Sequence, residues 1–279
     1  IFSDPMLGVG WIYCFFRFLK LDPYLSYKLL FLITFLLNFF VCFYCCRKLE
    51  ISYSSNLLAS TLFTFGLPVI AHDSHYILLA RFYVPACIYL IYSYFLNRNN
   101  YKFILFFLLF FLQLITSIYI SIFLVIVSLV TFSVLIYKKK KLFFKDLKNE
   151  INIFFKNLTL LQSTLIILIL FLLIIFCFNY IKVLSLYNFS RGYDSKGLIN
   201  LFSFIHTNRS IFWTNNWIPD GYAKIEHQLY LGISIILLLL ICFIYREILN
   251  KYKKISDFFK ISFFSILLFT SFFGLSFYF

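Results

Sequence analysis

The sequence predicts an all-α fold, a polytopic transmembrane helical bundle, on three observations. First, the 279-residue chain is 62% hydrophobic and 13% charged, with a mean hydropathy of +0.91. Second, several apolar runs approach or exceed the ~18 residues that cross a bilayer. In 165–178 every residue except Cys177 is Leu, Ile or Phe. At roughly −0.3 to −0.6 kcal/mol per residue, such a run inserts unaided despite the nearby Gln162. Third, the alternating ~10-residue strands of a membrane β-barrel are absent.

In chain order, Leu7–Leu19 is too short to span, and its Trp11, Tyr13, Phe15 and Phe16 with flanking cations predict a helix in the interface. Asp22-Pro23 opens the next helix, since Pro is tolerated in a first turn. Spans are then expected at 25–46, at 55–71 with Ser54 or Ser55 as N-cap, and at 76–96, with Gly66 and Pro68 kinking or ending the second. Phe103 to Tyr137 is continuously apolar, and as one helix would be about 52 Å long against ~30 Å of hydrocarbon. Both of its ends are basic, so it divides into 102–116 and 118–137, turning near Thr116-Ser117. Further spans fall at 159–179, at 229–245 and from 259 on. That makes about eight spans plus the interfacial helix in a single transmembrane domain, 1–279. The absence of an initiator Met and a terminus inside an apolar run lead us to expect a fragment.

The net charge of +14 does not signal nucleic-acid binding, because it sits between spans. Sixteen of the 25 Lys and Arg fall in segments that alternate crossing places on one face, including Arg47-Lys48, Lys138 to Lys141 and Lys253-Lys254. The positive-inside rule makes that face, with loop 138–158, cytoplasmic. Residues 1–24, the 72–75 turn, the 116–118 turn and the loop 180–227 then lie outside. The expected location is a bacterial inner membrane.

Polar groups beside a span are costly and mark sites. The densest such stretch runs from His72 to Arg81, with Asp73 and His75 between them. His72, Asp73 and His75 have spacings that can converge on a divalent metal, and a polar turn explains the same letters. Arg81, snorkelling outward beside His75, suits a phosphate. Gln113, Thr116 and Ser117 share a helical face, as interhelical hydrogen-bonding groups do, and Asn38 is read the same way. Loop 180–227 carries Arg191, His206, Arg209, Trp213 and Trp217. At its re-entry Glu226 and His227 suit acid–base work or a helix cap. Cys42 and Cys45 form a CxxC at the end of a span and read as small packing residues. No P-loop, dinucleotide fingerprint, HExxH or GxSxG occurs, and no inverted-repeat pair of broken helices is evident.

These residues carry a resemblance. Leu37-Asn38, Phe63-Thr-Phe65 with Pro68, His75, Tyr83-Val-Pro85, Leu112-Gln113 with Thr116-Ser117 and Tyr119, and Glu226-His-Gln-Leu-Tyr-Leu-Gly232 resemble motifs of bacterial multi-span proteins related to the GT-C membrane glycosyltransferases. Ile77 departs from their "HxQ", and Thr116 replaces a Ser. The resemblance implies a GT-C-like bundle that transfers sugar from a polyprenyl-phosphate donor to an envelope acceptor on the outer face. It implies membrane lipid and the lipid-linked sugar as partners; no cofactor is expected beyond the divalent metal that the 72–75 spacing could hold. His75, Arg81, Asp73, Gln113, Arg191, Glu226 and His227 would form the substrate-binding set, with Arg209 a further outer-face cation. The family's catalytic Asp or Glu is expected in an outer loop upstream of Ile1, which leaves the catalytic residue unassigned. A lipid-linked glycan flippase and a non-catalytic envelope scaffold are the alternatives.

Overall fold

The computed structural model describes residues 6–71, 76–97, 99–137, 158–187, 201–207 and 228–233, with positions 152, 156, 235–237 and 240. These residues are helical or irregular, and no strand occurs among them. In order they form α1 (Leu7–Phe18), α2 (Pro23–Lys48), α3 (Tyr53–Phe65), α4 (Leu67–Ala71), α5 (Tyr76–Leu79), α6 (Tyr83–Asn97), α7 (Asn100–Leu114), α8 (Ile118–Tyr137) and α9 (Leu160–Tyr187). A short 3₁₀ turn follows at Leu201–Phe204. Three stretches are long and apolar enough to cross a membrane: Pro23–Lys48, Tyr76–Asn97 and Leu160–Val183. Leu7–Phe18, Asn100–Leu114 and Ile118–Ser133 are shorter apolar helices.

The helices wear their polarity inside out. On α2 the buried line is Ser26, Leu30, Thr34, Asn38, Cys42 and Cys45, while Leu32, Leu36, Phe40 and Tyr44 face outward. On α3 the buried line is Asn56, Ser60 and Thr64. A water-soluble helix would show the reverse. In lipid, small and hydroxyl side chains let helices approach and hydrogen-bond while hydrocarbon faces the tails. The Asn56 amide donates to Phe43 O at 3.0 Å, and Ser60 Oγ donates to Asn56 O at 2.8 Å. The first bond seats α3 on α2, and the second lies within α3 and satisfies the buried Ser60 hydroxyl. The remaining core has two parts. One joins Val9 and Ile12 of α1 with Leu30, Val69, Tyr76 and Leu79. The other joins Cys87, Leu90, Ile91 and Tyr94 of α6 with Phe106 of α7 and Leu124 of α8.

Local signals explain most boundaries. Asp22 caps α2, its carboxylate accepting from the N–H groups of Tyr24 (2.9 Å) and Leu25 (3.1 Å), with Pro23 in the first turn. The cap of α3 is Ser52, whose Oγ accepts from Ser55 N–H, and not the expected Ser54 or Ser55. The helix starts earlier than the apolar pattern suggests because the hydroxyl that can reach forward to the N–H of N3, Ser55, lies three residues before it at Ser52. The long apolar region divides at 115–117 into α7 and α8 as predicted. Helix α9 continues to Tyr187, eight residues into the segment read as loop.

One end of the bundle gathers segments distant in sequence. Leu7 N–H donates to Ile115 O at 2.9 Å, so the N-terminus of α1 sits on the C-terminus of α7. The unsatisfied donors of one helix end meet the unsatisfied acceptors of another, with favourable dipole alignment. The approach requires glycine: a Cβ on Gly8 would lie 2.1 Å from Thr116 Oγ1 and 2.2 Å from Leu112 O. Arg47, Lys48 and Lys102 lie at the opposite ends of α2 and α7.

Candidate functional site

Two successive helices are interrupted, and the interruptions meet. The first lies between α3 and α4, at Gly66, with ψ 152°. Its cause is Pro68, which has no N–H for the carbonyl of Thr64 and whose ring crowds that carbonyl. The second lies at 80–82, between α5 and α6. Pro85 acts there in the same way on the carbonyl of Arg81. The span expected at 76–96 is present as Tyr76–Asn97, and this second break lies inside it.

Backbone groups freed by a break inside apolar protein need partners. Asn38 of α2 supplies two: its Nδ2 donates to Leu79 O at 2.7 Å, and its Oδ1 accepts from Arg81 N–H at 3.3 Å. Gln113 of α7 supplies a third, donating through Nε2 to Ala80 O at 3.1 Å. Thr34 and the Tyr76 hydroxyl share a hydrogen bond of 2.5 Å one turn away. Beyond the break Tyr83 donates to Gly8 O at 2.8 Å. The interhelical role expected for Asn38 and Gln113 is therefore present, directed at backbone.

Arg81 sits at the crossing of the two breaks. Its guanidinium donates through Nη2 to Phe63 O and lies 4.7 Å from the centre of the Phe63 ring. Because α3 stops at Phe65, its last carbonyls lack intrahelical donors and form the negative end of the helix dipole. The expected outward snorkel is thus corrected: the side chain reaches across to α3, where a carbonyl and a ring face attract it. By rise per residue, Asn38 lies about 23 Å along α2 from Pro23 and about 15 Å from Lys48, while Gln113, which holds Ala80, is the penultimate residue of α7 and Tyr83 reaches Gly8 in the first turn of α1, so the break lies toward the end of the bundle where α1 meets α7. Arg81 Nε is buried without a partner, as are Gln113 Oε1 and Thr64 Oγ1. None of the hydrogen-bond partners described for Arg81 is a carboxylate.

Of the other expected binding residues, Asp73, His75, Arg191, Glu226 and His227 lie outside the described residues, as do His72 and Arg209. Their neighbours are placed. Tyr76 is buried against Phe31, ring centres 4.6 Å apart. After His227, Gln228 and Tyr230 are buried. Gly232, with φ +96°, presents its hydrogen toward α4, where an added Cβ would lie 3.5 Å from Leu67 Cδ1. Gly232, the last residue of the re-entry motif, therefore lies beside Leu67 at the start of α4. Among the described residues no group of three His, Cys, Asp or Glu could hold a metal ion.

Comparison of the chain with protein-family models, with curated proteins and with solved structures gives no match.

Proposed function

We propose that this membrane protein binds a polyprenyl-phosphate-linked sugar between its helices and takes part in transferring that sugar to an acceptor on the outer face. One observation carries the reading: Arg81 is half-buried, its Nε is buried without a partner, and it has no carboxylate partner among the described residues. A charge held inside a membrane protein is expensive, and a cation without a counterion suits an anion that arrives with the ligand. Guanidinium is well matched to phosphate because its donors form a planar fork. The resemblance to GT-C proteins supplies the sugar and the direction of transfer.

A second reading, transport of a lipid-linked glycan, is favoured by the two meeting interruptions at Gly66 and 80–82, since transporters often build ligand sites from discontinuous helices.

The test is binding of polyprenyl phosphate and of the uncharged polyprenol to the full chain in nanodiscs. Polyprenyl phosphate is expected to bind at least about tenfold more tightly, and Arg81→Gln to remove the difference. Equal binding of the two lipids to the unaltered protein refutes the reading. Sugar transfer to an acceptor in proteoliposomes, set against movement of the intact lipid-linked sugar between leaflets, separates the transferase from the transporter.

A further inference from the structure

The segments 201–207 and 228–230 carry a second group of buried polar side chains. Ser203, His206, Thr207, Gln228 and Tyr230 are each no more than 3% exposed. The two segments are tied together by Leu229 N–H donating to Ser203 O at 2.9 Å. His206 is the member that stands out. Both of its ring nitrogens are buried, and neither has a hydrogen-bond partner. A neutral imidazole carries one N–H donor and one acceptor nitrogen, so this ring offers both functions and satisfies neither. Buried polar groups are normally paired, and a specific exception calls for a missing partner.

The chemistry of the cluster narrows that partner. Segments 201–207 and 228–233 hold no Asp, Glu, Lys or Arg. The two unpartnered imidazole nitrogens of His206, set among residues without formal charge, match a ligand that is itself uncharged and can both donate and accept at short range. A sugar hydroxyl does this, whereas phosphate asks for cations. The location agrees with such a division. The cluster's second segment reaches α4 at Leu67 through Gly232, and α4 follows directly on the end of α3 where Arg81 donates to Phe63 O.

We infer that the His206 cluster is a sugar-binding subsite, in which His206 donates to one hydroxyl and accepts from another while Arg81 holds the phosphate. The inference rests on the lipid-linked-sugar reading above and adds to it a recognition site for the neutral part of the ligand.

The experiment uses the full chain in nanodiscs with bare polyprenyl phosphate and with polyprenyl-phosphate-glucose, -mannose and -N-acetylglucosamine. At least one sugar-bearing lipid is expected to bind about tenfold more tightly than the bare lipid, as one or two added hydrogen bonds provide. His206→Ala is expected to bring that ratio to about one while leaving bare-lipid affinity unchanged. His206→Gln, which keeps a donor and an acceptor, is expected to recover part of it and serves as the check if the alanine variant folds poorly. Equal binding of all four lipids to the unaltered protein, or a ratio that survives both substitutions, overturns the subsite while leaving the phosphate reading intact. If no phosphate lipid binds, the phosphate reading falls, and titration with the free sugars decides the subsite alone. Sugar binding that His206→Ala abolishes then supports it with a soluble ligand, and its absence overturns it.

Discussion

Replacing Asn38 with Ala tests whether the second helix interruption is held open by side-chain amides. The substitution removes the donor to Leu79 O (2.7 Å) and the acceptor for Arg81 N–H (3.3 Å) in one step. Interhelical hydrogen bonds in membrane proteins average ~0.6 kcal/mol and reach ~1.7 kcal/mol, because the unfolded chain in lipid finds substitutes. Leaving a buried backbone group unpaired costs ~1–3 kcal/mol. Asn38 is fully buried, so no water is at hand to replace it. Two orphaned groups therefore set an expected loss of about 2–6 kcal/mol, drawn toward the lower end by the modest worth of hydrogen bonds in membranes. Gln113→Ala removes only the bond to Ala80 O, since Gln113 Oε1 has no partner to lose. Its expected loss is about 1 kcal/mol. Reversible unfolding in mixed detergent–lipid micelles measures both. A loss below about 0.5 kcal/mol for Asn38→Ala, or a larger loss for Gln113→Ala, would show that the break closes on itself without the α2 amide.

Three further outcomes follow from close contacts and breaks. Gly8→Ala forces a Cβ against Thr116 Oγ1 and Leu112 O, whereas Gly10 has nothing within 4 Å; the first substitution is expected to cost ~1–3 kcal/mol and the second to be near neutral, read from melting temperature and Trp11 emission. Tyr76→Phe and Thr34→Val each remove the 2.5 Å hydrogen bond between these side chains; a double-mutant cycle on unfolding free energy is expected to give a coupling of roughly 0.5–1.5 kcal/mol, and none if the hydroxyls are independent. Pro85→Ala restores an N–H that can bond the Arg81 carbonyl and lets α6 grow back toward α5. It is expected to draw Arg81 away from Phe63 and weaken polyprenyl-phosphate binding severalfold, and unchanged affinity would separate the break from the site.

How much of this was legible depended on whether a feature is local. The break at 115–117 follows from arithmetic, because an apolar run of 103–137 is too long for one crossing and basic at both ends. The interruption at Gly66 is legible too, since Pro68 follows closely in an otherwise helical pattern. The interruption at 80–82 was hidden because Pro85 stands three residues into α6, where the same ring also reads as an innocuous first-turn Pro. Its cue is Arg81 together with Pro85: a cation at the very position whose carbonyl the proline cannot serve and which accepts from Val84 N–H at 3.0 Å instead. Asn38 was legible as an interhelical donor, but its target lies 41 residues away on the backbone of another helix, and spacing along one helix carries no information about that. His206 was seen only as one polar residue in a loop. It is buried in a segment paired to another through Ser203 and Leu229, a contact between segments with no shared periodicity.

The retention of Arg81 inside the bundle can be understood from the breaks themselves. An intact α3 would spend the Phe63 carbonyl on its own ladder, and an intact α5–α6 helix would carry Arg81 as one more side chain on a continuous surface. Interrupting both exposes a carbonyl end on one side and frees the Arg81 backbone to be fixed by Asn38 on the other. The guanidinium then meets the negative end of α3 and an aromatic face in place of a carboxylate. Partial charges of this kind offset only part of the cost of burying a cation. A carboxylate in the same place would offset more, and would also occupy the fork that an incoming phosphate needs. Introducing Asp at Thr64, whose fully buried Oγ1 has no partner beside Phe63, sets these demands against each other. If Arg81 serves an anionic ligand, Thr64→Asp is expected to maintain or raise unfolding stability while lowering polyprenyl-phosphate affinity at least about tenfold. A variant that is stabilised and binds the lipid as before would mean that the guanidinium is structural, and that phosphate is held elsewhere.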